Sequence, residues 1–164
     1  MPTLRESQEF KRGRSGEKAI AGFLKSRGCF IVPSYDYSGE DGNKAPKMEG
    51  EHFSFVIPDL DVANGGKRFW AEVKTKWEAT LHRKSQTWEH GISLRHYRHY
   101  QRVEQETGAP VWLFVFEERS GEILAAKLSC LGPPRIYDGG KMGRDGMAFW
   151  PRDQFKLLHK LEAA

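Results

Sequence analysis

Between His52 and Lys76 two β-rich runs flank Asn64-Gly65-Gly66, and no other stretch of the chain restricts the fold as tightly. Asn-Gly and Gly-Gly pairs supply the positive φ angles of a two-residue hairpin turn, so His52–Val62 and Arg68–Lys76 are predicted to be antiparallel neighbours. Side chains alternate faces along a strand: Glu72 and Lys74 share one side of the second run while Val73 points into the core, and Asp59 and Asp61 share one side of the first. A turn at Gly65-Gly66 sets Asp59 opposite Glu72. A turn at Asn64-Gly65 slips the register by two and sets Asp59 opposite Trp70. Either register keeps the three carboxylates and the lysine on one face, because a shift of two preserves parity.

Neighbouring carboxylates raise one another's pKa and weaken the sheet unless a cation compensates. An all-oxygen donor set of one or two carboxylates plus water suits Mg2+, which keeps part of its hydration and leaves positions for substrate phosphate. Lys74 beside such an ion would orient the attacking water or the scissile phosphate, which is the layout for phosphodiester hydrolysis. The charge distribution agrees. Residues 1–30 carry 7 basic and 3 acidic side chains, residues 31–66 carry 2 and 7, and residues 67–102 carry 9 and 3. Two basic blocks around an acidic one point to a polyanion partner and a localised carboxylate cluster.

Other classes are disfavoured. No stretch approaches the roughly 18 consecutive apolar residues of a membrane span, and residues 1–14 are polar, without a secretory core, so a cytoplasmic protein with no membrane partner is expected. Cys29 and Cys130 lack metal-ligand or disulfide spacing and are expected to be small core residues with free thiols. His90, His96 and His99 do not form an HExxH pattern, which argues against zinc.

The remaining elements follow from periodicity. A helix is predicted over 15–27, with Ser15 as N-cap and Gly28 as the stop, then a short strand over 29–32 ended by Pro33. Residues 34–50 are predicted to be a loop, a functional flap or an insert, and residues 77–92 a polar connection. Ser93–Thr107 has helical spacing, and Val111–Phe116 is an apolar run suited to a central strand. A further strand at 123–128 and a short terminal helix at 153–161 complete the expectation: one domain over 1–164, with its core at about 13–128 and an extension at 129–164.

Pro58-Asp59, twelve intervening residues and Glu72-Val73-Lys74 resemble the core motif of the PD-(D/E)XK nuclease superfamily, which includes restriction endonucleases and archaeal Holliday-junction resolvases. The resemblance extends to a preceding helix bearing Gly13, Glu17, Leu24 and Gly28, and continues through the following helix into Val111–Phe116. It covers roughly residues 13–116. It implies a restriction-endonuclease-like α/β fold of αβββαβ order, with a mixed central sheet flanked by helices. It also implies that Asp59 and Glu72 bind the metal with the Val73 carbonyl, that Lys74 positions the nucleophile, and that Glu17 is a secondary, often water-mediated ligand. Mg2+, with Mn2+ as a substitute, would then support endonucleolytic cleavage of DNA. Asp61 departs from the pattern: it shares a face with Asp59 and is the alternative ligand, with Asp59 preferred for its Pro-Asp context.

DNA contacts are expected outside this centre. Lys76 extends the face of Glu72 and Lys74. Arg83, Lys84 and Trp88 mix cations with an aromatic, which suits phosphate contact and base stacking. Arg95, Arg98 and Arg102 form a basic stripe on the 93–107 helix. Gln101 stands where some related nucleases carry a helical glutamine near the active site, and Trp70 and Trp112 are expected in the core. The small size implies recognition of DNA structure, as in Holliday-junction resolvases, or a targeting protein partner; a homodimer would allow two strands to be cut. The competing reading is a catalytically silent DNA-binding or assembly module, and a third is a hydrolase of RNA or nucleotides.

Overall fold

A computed structural model describes residues 8–33, 46–139 and 145–161. Most of the predicted 34–50 loop, residues 34–45, lies outside the described residues. Helix α1 (Gln8–Ser26) is followed by β1 (Phe30–Pro33), the small pair β2 (Lys47–Glu49) and β3 (Ser54–Val56), and the hairpin β4 (Leu60–Asn64) and β5 (Lys67–Lys76). A second hairpin, β6 (Thr80–His82) and β7 (Thr87–Ser93), leads into α2 (Leu94–Thr107). Then come β8 (Val111–Glu117), β9 (Glu122–Lys127), β10 (Arg135–Tyr137), β11 (Met147–Pro151) and β12 (Lys156–Lys160).

The main sheet runs β1-β4-β5-β8-β9-β12 and is mixed, with β5 and β8 parallel and the other neighbours antiparallel. Gly65 and Gly66 both take positive φ, 56° and 77°, and close the tight turn between Asn64 and Lys67. This settles the register: Leu60 pairs with Ala71 and Asp61 with Trp70, so Asp59 meets Glu72 one step beyond the last pair.

Alternation along β5 divides the core. Ala71 and Val73 join Ile20 and Leu24 of α1, while Trp70 joins Tyr100 and Val103 of α2 with Val111, Leu113 and Val115 of β8. Glu72 and Lys74 therefore lie on the α2 side of the sheet. Helix α1 leans directly on β5 at Gly16, where an added Cβ would sit 1.8 Å from Thr75 Oγ1. This contact requires glycine and brings the neighbouring Glu17 toward the hairpin. Helix α2 has the expected ends: Ser93 Oγ accepts the His96 N–H at 3.1 Å, and Gly108, at φ 66°, donates to the Glu104 carbonyl.

Four expectations are corrected. Helix α1 begins at Gln8, so Ser15 is interior; Arg12, in the added turns, is ion-paired with Glu118 beside the β8–β9 turn. Residues 77–92 are not a plain connection, because β7 pairs with β11, contributed by a distant part of the chain, and β6 pairs with β7. The terminal segment forms β12 and not a helix: pairing with β9 continues the main sheet and overrides the local preference. Both thiols are free, but Cys130 is exposed and not a core residue, while Cys29 is half-buried at the margin of the α1-side core beside Asn64. Trp150 and Phe155, from the described part of the 129–164 segment, belong to the same core as Tyr100.

Candidate active site

Three elements hold the acid cluster. Strand β5 supplies Glu72 and Lys74, the Ile57-Pro58-Asp59 link before β4 supplies Asp59, and α2 fastens both. The Val56 N–H donates to His99 Nδ1 at 3.0 Å, pinning β3 just ahead of Asp59, and Tyr100 Oη donates to Glu72 Oε2 at 2.5 Å. One turn earlier, His96 Nδ1 lies 3.5 Å from the same hydroxyl.

Asp59 and Glu72 are 8% and 2% exposed. Asp59 Oδ2 accepts the Val73 N–H at 2.7 Å, and Lys74 Nζ lies 2.5 Å from Glu72 Oε1. The N–H and C=O of a strand residue point to the same edge. The Val73 carbonyl therefore faces the Asp59 side, beyond the last β4 pair. Burial, then the charge of Glu72, holds the Asp59 carboxyl well above the ordinary carboxylate range, against the pull of Lys74 and the Val73 N–H, and Glu17 pushes the same way as Glu72. Burial would lower the Lys74 ammonium, but the charges of Glu72 and Asp59 lift it above the ordinary lysine value. Burial also lowers the His96 imidazole, despite Glu72 nearby, and keeps it neutral at pH 7.

Glu17 thus reaches the centre through its charge. Among the described residues no three His, Cys, Asp or Glu side chains converge as a metal cage. Any cation here would depend on two carboxylates completed by backbone oxygen and water, a hard-oxygen set that fits Mg2+ or Mn2+. Asp61, the alternative ligand, is engaged elsewhere: Arg68 Nε reaches Asp61 Oδ1 at 2.8 Å and its Nη2 takes Oδ2.

The expected DNA contacts separate into committed and free groups. Lys76 lines a small cavity with Lys74 and His90. Arg102 pairs with Glu106 at 2.8 Å and lies over the Phe55 ring, and Arg95 is 3.9 Å from Asp145. Arg98 is exposed, as are Arg83, Lys84 and Trp88 on the β6–β7 hairpin. Gln101 does not approach Glu72: its amide donates to Tyr97 Oη at 3.1 Å on the outer side of α2. Tyr100 and His96 are the helix residues that reach the acids, and sequence reasoning missed that role. Their signal was an i, i+4 polar-aromatic pair on the buried stripe of α2. Trp70 is buried, whereas Trp112 is only half-buried, edge-on to Phe69.

A second buried polar cluster lies at the far end of β8. Glu117, 4% exposed, is bound by His90 Nε2 at 2.7 Å and by two Arg152 nitrogens at 2.8 Å each. Arg152 also reaches Glu122 at 2.6 Å. Burial would raise the Glu117 carboxyl, but Arg152 and His90 bring it below its ordinary value.

The backbone can be compared with solved structures. A Holliday junction resolvase, Hjc, from the archaeal hyperthermophile Archaeoglobus fulgidus superposes with a TM-score of 0.56 at 13% identity, over 87% of this chain and 86% of its own. The fold is restriction-endonuclease-like. D212, a nuclease from a fusselovirus, superposes with a TM-score of 0.50 at 10% identity, over 96% of this chain and 89% of its own. Neither a protein-family model nor a curated relative matches the sequence. Among the described residues no helix is long and apolar enough to cross a membrane.

Proposed function

We propose that this chain is a metal-dependent nuclease that hydrolyses DNA phosphodiester bonds at Asp59, Glu72 and Lys74. The observation that carries the reading is the undercompensated charge of that cluster: two buried carboxylates share one lysine, and the Asp59 carboxyl is held well above its ordinary value. A pair serving the fold alone would be matched by cations or replaced by apolar side chains. Asp59, Glu72 and the Val73 carbonyl would hold Mg2+, or Mn2+ in its place, with Glu17 contributing through its charge or a water. Such an ion, when bound, supplies charge neutralisation at the phosphate and acidifies water.

The protein's own groups do the rest. Lys74, kept protonated by Glu72 and Asp59, orients the attacking water against a nonbridging phosphate oxygen. Tyr100 fixes the Glu72 carboxylate and, through it, the position of Lys74. Likeness to a junction resolvase and a viral nuclease supports a nucleic-acid substrate, and branched DNA is the form this reading favours. A homodimer would bring two such centres to opposite strands.

The test is a labelled panel of linear duplex, single strand, flap, four-way junction and RNA, incubated with Mg2+, Mn2+ or EDTA. Metal-dependent cleavage of DNA that disappears in Lys74→Ala is the expected result. DNA binding with no metal-dependent cleavage of any member would favour the silent binding module instead.

A further inference from the structure

The chain's five tryptophans fall into two kinds. Trp70 and Trp150 are buried, and their indole N–H groups are used, by Thr107 Oγ1 at 3.3 Å and by the Gly132 carbonyl at 2.8 Å; Trp112 packs edge-on to Phe69. Trp77 and Trp88 are 56% and 47% exposed, and among the described residues neither side chain has a hydrogen bond, a ring contact or a cation over it. A large aromatic with about half of its surface and its N–H left to water needs an explanation beyond the fold.

Their position supplies one. Trp77 follows the last residue of β5, about 10 Å along the chain from Lys74 at the rise of an extended strand. Trp88 stands on β7 opposite Leu81, the two forming an exposed apolar pair, and it lines a cleft of about 430 Å3 with Arg119 and Ser120 of the β8–β9 turn. The Arg119 backbone N–H donates to the Trp77 carbonyl at 3.0 Å, which fastens the β8–β9 turn to the chain at Trp77. Trp77 thus lies at the end of the strand that carries Glu72 and Lys74, and Trp88 lies on the hairpin that follows it.

The hairpin tip beside them is built to hold a shape. His82 Nδ1 and Ser85 Oγ are 2.7 Å apart, Gln86 Nε2 donates to the Arg83 carbonyl at 2.6 Å, and Gln86 sits at φ 56°. A left-handed non-glycine residue costs on the order of 1 kcal/mol and persists only where its surroundings impose it. The turn so fixed presents Arg83 and Lys84, neither of which has an ion-pair partner among the described residues.

We infer that Trp77 and Trp88, with Arg83 and Lys84 at the hairpin tip, form a stacking station for unpaired nucleotides leaving the Asp59–Glu72–Lys74 centre. The inference rests on the nuclease reading and narrows its substrate to DNA with unpaired bases beside the scissile phosphate. Free cations next to free aromatic faces are the chemistry of single-strand binding, where phosphates meet charge and bases meet rings. In a continuous duplex the faces of interior bases are already covered by their neighbours. Only unstacked bases can use both indoles.

The test measures binding in EDTA, so that cleavage plays no part. The full chain is titrated against a fluorescently labelled blunt duplex and against the same duplex bearing an oligo-dT tail. Trp77→Ala and Trp88→Ala should each weaken tailed DNA about fivefold or more, the low end of about 1–3 kcal/mol per stacked base, with a smaller loss on blunt duplex. Trp→Phe at either position should recover most of the affinity, which a mere loss of folding would not do. Arg83→Ala and Lys84→Ala should weaken both DNAs and flatten the salt dependence. Equal loss on both DNAs in the tryptophan variants, or no loss on either, overturns the inference. If the tail preference disappears with the indoles while no substrate is ever cleaved, the stacking station stands and the nuclease reading falls.

Discussion

Two buried carboxylates on either side of β5 have been driven in opposite directions. Glu117 is surrounded by His90 and Arg152 and lies below its ordinary value; Asp59, with Glu72 next to it and one lysine between them, lies well above. Both are nearly inaccessible to water, so burial alone does not separate them. The cations do. Arg152, from the turn before β12, ties β8 and β9 together and leaves Glu117 compensated. The Asp59 cluster has one lysine for two carboxylates, and α2 supplies a tyrosine and neutral histidines where Arg152 stands in the other. A compensated cluster stabilises the fold, whereas an undercompensated one is held at the fold's expense and calls for a ligand.

The largest contrast should come from removing one cation from each cluster. Lys74→Ala should lower metal-dependent cleavage by about 100-fold or more per folded molecule, beyond the loss of stability from leaving Glu72 without its cation. Arg152→Ala should cost about 3–5 kcal/mol in denaturant unfolding, because it strands Glu117 beneath the surface, and the folded fraction should still cleave. Equal effects of the two variants on activity would erase the distinction.

Acid titration separates the clusters next. Glu117 and His90 have folded values below their unfolded ones of 4.5 and 6.5, so their stabilisation is complete above those values and is lost as pH falls through them. Asp59 has the opposite sign. Its raised folded value means that stability declines as pH rises from 3.8 toward that value, and the cost is carried in full only above it. Asp59→Asn, which can still accept the Val73 N–H, should therefore abolish cleavage yet stabilise the metal-free protein by about 1 kcal/mol at pH 7.5. Urea melts of the two proteins at pH 5 and pH 7.5 check this, and the gap should widen at the higher pH.

Tyr100→Phe should give the smallest change. It removes one hydrogen bond to Glu72, worth about 1–3 kcal/mol to a charged acceptor, and should slow cleavage about tenfold without altering which DNA is preferred. A single-turnover time course on one substrate would show it.

Much of this comparison was visible in the residues. A tight turn within Asn64-Gly65-Gly66 and the parity of Asp59, Glu72 and Lys74 follow from local rules, as do both ends of α2 at Ser93 and Gly108; which pair forms the turn came from the structure. What stayed hidden depended on partners remote in sequence. Strand β7 is recognisable only when β11 is laid beside it, and β12 only against β9. Asp61 stood as the alternative to Asp59 until Arg68 engaged it. The role of Tyr100 stayed hidden because periodicity gives a helix face but not the atom that a hydroxyl meets. His90 and Glu117, which carry the structural half of the contrast, gave no signal at all, since their cation arrives from Arg152.

The most direct measurement is calorimetric titration of Mn2+ and Mg2+ into the metal-free protein and into Asp59→Asn, in buffers of differing ionisation enthalpy. The account predicts binding to the wild type with release of protons at mildly acid pH, as the elevated Asp59 carboxyl gives up its proton to the ion, and loss of both binding and proton release in Asp59→Asn. No binding, or binding that the substitution leaves unchanged, would contradict the assignment of this cluster as a metal centre.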